Sequence, residues 1–398
     1  MLWEDSFYVD GKTTAKLIKE ACNDVEPEVI AALAIEARNK QKLRHLPLLL
    51  ARHLAKVDGK LTASTLYEII QRPDEICEFL AIYWKDGKQP LSAGVKRGLA
   101  KAFTKFDAYS LSKYNRDGAI KLRDALFLCH AKPKNEKQEQ DFNALVNGTL
   151  ASPDTWEVRL SRGDDKKASF SELLEQNKLG YMALLRNLRN MIESGVDIDL
   201  IKKRLVEGAG NNKVLPFRFI SALKYAPMMV SELNSSMLSC IDRNKRLKGS
   251  TAIVVDVSGS MGNTVSGKSE MTCMDAACGL AILAREMCET CRVFSFSYTF
   301  KEVAPYNGLA LRDAIINSQA HYGTYLEQAI KAINSIYKYD RIIVITDEQT
   351  TYGEVPSPTG VGYMINVGCY KNGVGYRNWH HIDGFSQHTL HYIHAIEN

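Results

Sequence analysis

Two carboxylates and three hydroxyls stand where hard oxygen chemistry could be done: Asp256, Ser258 and Ser260, then Thr324, then Asp347. Asp256-Val257-Ser258-Gly259-Ser260 closes the apolar run Thr251-Ala252-Ile253-Val254-Val255, an unbroken row rich in β-branched residues that reads as a buried strand. Asp347 ends a second such run, Arg341-Ile342-Ile343-Val344-Ile345-Thr346. Thr324 lies in His321-Tyr322-Gly323-Thr324, just ahead of the helix-like Tyr325-Leu326-Glu327-Gln328-Ala329-Ile330. Carboxylate and hydroxyl oxygens suit Mg²⁺, which takes an octahedron of oxygens and usually keeps several waters. One loop cannot fill that shell, so oxygens from three loops must meet. A plain Ser/Gly turn after a strand would explain the first loop alone, and the two others in the right order weigh against it.

A competing pattern overlaps this one. Gly262-Asn263-Thr264-Val265-Ser266-Gly267-Lys268-Ser269 fits the P-loop, and Ile342 to Glu348 resembles a Walker B strand ending in Asp-Glu. Taken alone the pair suggests a nucleotide hydrolase using Lys268. A P-loop's first glycine should follow its strand almost directly, so that N–H groups wrap the phosphates at a helix N-terminus. Here the strand ends near Val257 and the residues between already form the metal loop, so the hydrolase is the lesser alternative. Cys288-Glu289-Thr290-Cys291, expected at a helix end, supplies two thiols of the four ligands a zinc site needs and reads as packing. His380-His381 and His388 fall near an expected C-terminal helix without ligand companions, and there is no convincing Ser-His-Asp set, so the chain reads as a non-enzyme.

These residues need a scaffold, and 398 residues are enough for two domains with substantial cores. No apolar run approaches the ~20 residues that span a bilayer, and Met1-Leu2-Trp3-Glu4-Asp5 lacks the regions of a signal peptide. The expectation is an intracellular, cytoplasmic protein whose nine irregularly spaced cysteines are reduced. Net charge is only +5, but residues 38–60 carry seven Lys/Arg against Asp58, and residues 96–137 carry eleven against four acids. Such asymmetry suits a polyanion-binding face, nucleic acid first, or more blandly solvated helix faces.

From about 13 to 240 the chain reads as helix after helix, with Leu17, Ile18, Ala21 and Val25, then Val29, Leu33, Ile35 and Ala37, at helical spacing. Pro27 suits an early helical position, and a rhythm of ~40 residues suggests a HEAT-like repeat array. After Asn234 the pattern turns to βα alternation, with strands expected at 251–257, 292–297, 341–347 and 362–368. Helices are expected at 272–289, 309–318, 325–337 and 385–396. That alternation implies a mainly parallel sheet covered on both faces, with ligands beyond the strands' carboxyl ends. The polar segment 242–246 is the expected connection.

The three metal loops resemble the metal-ion-dependent adhesion site of von Willebrand factor A domains. In that family such positions hold the ion directly or through water and leave one place for an acidic group of a partner. Gly180-Tyr181-Met182-Ala183-Leu184-Leu185-Arg186-Asn187-Leu188-Arg189-Asn190-Met191 resembles the signature of TROVE modules, as do Leu215-Pro216-Phe217-Arg218 and the run from Leu43 to Arg52. A TROVE module (1–240) followed by an A domain (241–398) is similar to the Ro ribonucleoprotein family, in its bacterial or phage members. The resemblance implies a ring-like α-helical HEAT-type array closed by a Rossmann-like von Willebrand factor A domain, acting as a monomer. It implies small noncoding Y-like RNA on a basic outer surface and single-stranded 3′ ends of misfolded RNA in a central hole. A tether to the exoribonuclease polynucleotide phosphorylase, and a role in RNA quality control, follow from the same source. The family's Y-RNA-contacting cluster maps onto Lys113, Arg116 and His130, anchored by His130-Ala131-Lys132-Pro133. His130 could instead be a core histidine, and Arg186 and Arg189 could be occupied by ion pairs. The chain also begins where the family's first helix-and-loop segment would already have passed. The rival reading is a metal-dependent protein-binding module with the helices as platform.

Overall fold

The computed structural model describes residues 11–210, 214–241, 246–265, 270–304, 306–349, 354–368, 378–384 and 386–397. Packing divides the chain into two compact units, Met1–Asp154 and Thr155–Asn398.

The first unit is helical throughout its described residues, from α1 (Gly11–Ala21) to α9 (Glu136–Asn147). Pro27 opens α2 (Pro27–Asn39), where its missing N–H costs no helical bond. The helical period read from the sequence holds there, but the buried face is Ile30, Ala31, Ala34 and Ala37, while Val29 and Leu33 are exposed. The small alanines let α2 lie close on α3 (His45–Val57) and α4 (Gly59–Ile69). Closer still are α4 and α6 (Ala93–Phe103): a Cβ on Gly94 would stand 2.2 Å from the Gly59 carbonyl oxygen, and one on Gly98 2.9 Å from the Leu66 Cβ.

The second unit starts with helices α10 (Trp156–Arg162) to α15 (Val230–Cys240), among them α12 (Tyr181–Glu193) and α14 (Pro216–Leu223). A six-stranded sheet follows, β1 (Leu247–Asp256), β2 (Cys288–Phe296), β3 (Phe300–Glu302), β4 (Arg341–Thr346), β5 (Val361–Asn366) and β6 (Trp379–Asp383), in the order β3-β2-β1-β4-β5-β6. All neighbours are parallel except the hairpin β2–β3. Alternate residues serve opposite cores. Ile253, Val255, Ile343, Ile345, Tyr363 and Ile365 pack in one with α16 (Cys273–Met287), and Ala252, Val254, Ile342, Val344 and Met364 in the other with α18 (Leu326–Ile336). The remaining helices are α17 (Leu309–Ile316) and α19 (Gln387–Glu397).

The βα alternation expected from the sequence is therefore present, with two differences. Cys288 and Cys291 lie in β2 and not at a helix end, because α16 stops at Met287. Strands β3 and β6 were not expected: one is three residues long, and the other reads Trp-His-His-Ile-Asp, an edge strand without an apolar run. Helix α16 is buried all round, since α14 lies on its far side, and a Cβ on Gly279 would be 3.2 Å from Phe217. Helices and sheet thus share one core across residues 170–393. Most of the expected connection 242–246 falls outside the described residues. Cysteines of the described residues are free, and no described helix is long and apolar enough to cross a membrane.

Candidate metal site and basic surface

The sheet delivers the oxygen-bearing residues to one edge. β1 sits between β2 and β4, so Asp256 emerges beside Thr346 and Asp347, at the carboxyl ends of central strands. The Asp256 carboxylate is wholly buried; one oxygen accepts from the Ser258 N–H at 2.8 Å and the other from the Thr346 hydroxyl at 2.7 Å. Ser258 and Ser260 bring their hydroxyl oxygens to 3.2 Å of each other. The Thr324 loop is tied in by backbone: Gly259 N–H donates to Tyr322 O, and Tyr322 N–H to the Ser297 hydroxyl at 2.8 Å. Gly368 makes room for the third loop, for a Cβ there would be 2.5 Å from that of Asp347.

Burial and the charge of Asp347 push the Asp256 carboxyl up to about 7. Burial also raises Asp347, against the pull of the Ser260 hydroxyl and the Gln349 N–H. Asp347 Oδ2 is buried and accepts no hydrogen bond among the described residues. Two buried carboxylates, one with an orphaned oxygen, amid hydroxyls and with no basic partner among the described residues, fit a hard divalent cation. The P-loop reading gains nothing here. Gly262 closes a short 3₁₀ turn, Thr264 bridges back to Thr272, and the next described helix opens at Cys273 under a Thr272/Asp275 capping box. Ser266 to Ser269, including Lys268, lie outside the described residues.

One group that sequence reasoning missed lies nearby. His381 is on β6, its Nε2 against the Glu348 carboxylate, and Asp383 completes a cluster of possible ligands. The expectation that His381 lacks companions is thus corrected. No local spacing joins 348 to 381; only the pairing of β4, β5 and β6 does.

In the first unit, Lys113 lies in the last turn of α7 (Ala108–Tyr114) and Arg116 just beyond it, both exposed and without a carboxylate partner among the described residues. The Lys113 ammonium lies 5.7 Å from the Tyr109 ring centre. His130 caps α8 (Leu122–Cys129) in the left-handed region, φ 55°, and is exposed, which removes the core-histidine alternative. No hydrogen bond or ion pair joins the three to one another. The basic run 38–60 is less free than its sequence suggests: Arg38 pairs with Glu75, Arg44 with Glu78 and Arg52 with Asp86. Lys56 and His53 from that run line a cleft of about 190 Å³ with Lys16, Lys19 and Lys85. In α12, Arg189 pairs with Glu193 at 2.8 Å. Arg186 has no such partner among the described residues, and burial and the Arg186 charge push Arg218 below the usual guanidinium range.

Comparison with known proteins matches two adjoining stretches of the chain, together residues 147–361. A family model of the TROVE domain matches residues 147–261, and one of the Ro60 vWA domain matches residues 251–361. Telomerase protein component 1 of Mus musculus is 33% identical over 91 residues, and that of Rattus norvegicus 32%. Each match covers 22% of this chain but 4% of the relative's length. The crystal structure of Deinococcus radiodurans RO (RSR) protein has a TM-score of 0.70 at 19% identity, over 96% of this chain and 92% of that one, a likeness of fold.

Proposed function

The chain belongs to the Ro family, an RNA-binding family that joins a TROVE domain to a Ro60-type A domain, and from that membership we propose that it binds small structured RNA of the Y type through the exposed cations of its helical part, residues 1–240. The observation that carries this reading is the exposure of Lys113, Arg116 and His130 at the C-terminal ends of α7 and α8, with no carboxylate spent on either cation among the described residues. Cations held this way contact phosphates and release counterions, whereas Arg38, Arg44 and Arg52 are engaged internally. Arg186 and Arg218 offer a further pair, suited to an unpaired 3′ end of misfolded RNA. Such a protein acts in RNA quality control or as a scaffold for an exoribonuclease of the polynucleotide phosphorylase kind, in the cytoplasm and without catalysis of its own.

The test is equilibrium binding of a small structured RNA over a range of salt concentrations. Lys113→Glu with Arg116→Glu should weaken binding and lower the slope of log K against log salt by about 2. An unchanged slope and affinity would sink the assigned surface.

Residues 241–398 form the A-type domain in this reading, with Asp256, Ser258, Ser260, Thr324 and Asp347 as the metal-holding set and Mg²⁺ as the ion. When bound, the ion would offset the two buried charges and present an open place to an acidic group. Asp347 Oδ2 supports the ion, and the open place on that ion would be the basis of a second activity, the docking of a protein partner. Asp256→Ala should then abolish partner binding and leave RNA binding intact; loss of both would argue that the metal only supports the fold.

A further inference from the structure

Glu348, His381 and Asp383 each offer a ligand atom, and the three atoms lie within 4.8 Å of one another. The elements that bring them together are rigid. Glu348 follows Asp347 directly at the end of β4, and is 2% exposed. His381 and Asp383 are alternate residues of β6 and so share a face of the sheet. Strand β5 sets the spacing, pairing with β4 through Thr346↔Asn366 and with β6 through Asn366↔Asp383. Asp383 Oδ1 stands 3.9 Å from His381 Nδ1 and accepts from the Asn366 amide at 3.3 Å. Glu348 has φ 60°, a conformation a glutamate rarely takes, and its N–H donates to the Thr346 hydroxyl at 3.0 Å. That hydroxyl is the one that donates to Asp256.

We propose that Glu348, His381 and Asp383 form a second cation site, distinct from the oxygen-only set around Asp256, and built for a borderline ion of the Zn²⁺ class. The donor set decides the class of ion: an imidazole nitrogen with carboxylates suits Zn²⁺, whereas Mg²⁺ takes oxygen ligands. Three protein ligands leave the fourth tetrahedral place open, and the Asp383 side chain, 57% exposed, forms the mouth through which water or a partner's group reaches it. This site does not depend on RNA binding.

The experiment is a Zn²⁺ titration of the chelator-stripped chain in excess Mg²⁺, by calorimetry, with Co²⁺ absorption as a second probe. One Zn²⁺ per chain is expected, undiminished by the excess Mg²⁺ and weakened at least about tenfold in His381→Ala and Asp383→Asn. The Co²⁺ bands should shift in His381→Ala, with circular dichroism unchanged. If His381→Ala does not fold, Asp383→Asn at its exposed position carries the test. Absence of Zn²⁺ binding by the unaltered chain, or equal affinity in the foldable variants, overturns the site.

Discussion

Burial raises the cost of ionising both Asp256 and Asp347, the charge of Asp347 adds to that of Asp256, and both are shut away from water. A cation that binds both relieves this, so it stabilises the folded chain by mass action. Mg²⁺ at a hundred times its Kd should add about 2.7 kcal/mol, read as a rise in the thermal midpoint that is absent in Asp256→Asn. Chelator should reverse the rise. Gly368→Ala should blunt it too, because the new Cβ would push on the Asp347 backbone 2.9 Å away. At this scale the sequence was legible where chemistry stayed close to a strand end. Asp256 and Asp347 each closed an apolar run, and the structure pairs those runs as β1 and β4. Glu348 and His381 were not legible, since their meeting depends on an edge strand with no apolar signature.

Elements in this chain are held together by a few close contacts whose loss can be measured. Helices α4 and α6 touch through Gly94, where any side chain meets backbone. Gly94→Ala should cost about 1–3 kcal/mol by overpacking, seen as a lower midpoint in urea with an unchanged m-value. At the start of α16, burial pushes the Asp275 carboxyl up, but the Lys224 ammonium at 2.6 Å and the Thr272 N–H and hydroxyl outweigh it and hold it below the ordinary range. A depressed carboxyl pKa gives stability that is present above the unfolded value, about 3.9, and is lost as pH falls through the folded one. The unaltered chain should therefore lose thermal stability faster than Asp275→Asn on acidification below about pH 4, and the two melting curves should converge in acid. Helix existence and period were readable from the apolar spacing of 27–39, but not which face is buried. That choice was made by alanines small enough for close packing, a property of the neighbours and not of the segment.

Across the whole molecule, packing and secondary structure change at different places. Helices give way to strands between Cys240 and Leu247, whereas the compact units part at Asp154 and Thr155. Phe217 against Gly279 is where the difference is felt, because α14 covers a face of α16 that would otherwise be bare. Expression of residues 155–398 should give a cooperatively melting protein that responds to Mg²⁺. Residues 241–398 alone should bind a hydrophobic dye or precipitate, and a soluble, cooperative fragment would refute the shared core. Phe217→Ala in the full chain should cost about 3–5 kcal/mol. The doubly covered α16 also bears on descent. A gene that exchanged only its sheet-encoding part with a distant relative would leave Phe217 facing a stranger, so viable recombinants should carry their crossovers upstream, near codon 155, and substitutions at 217 and 279 should drift as a pair.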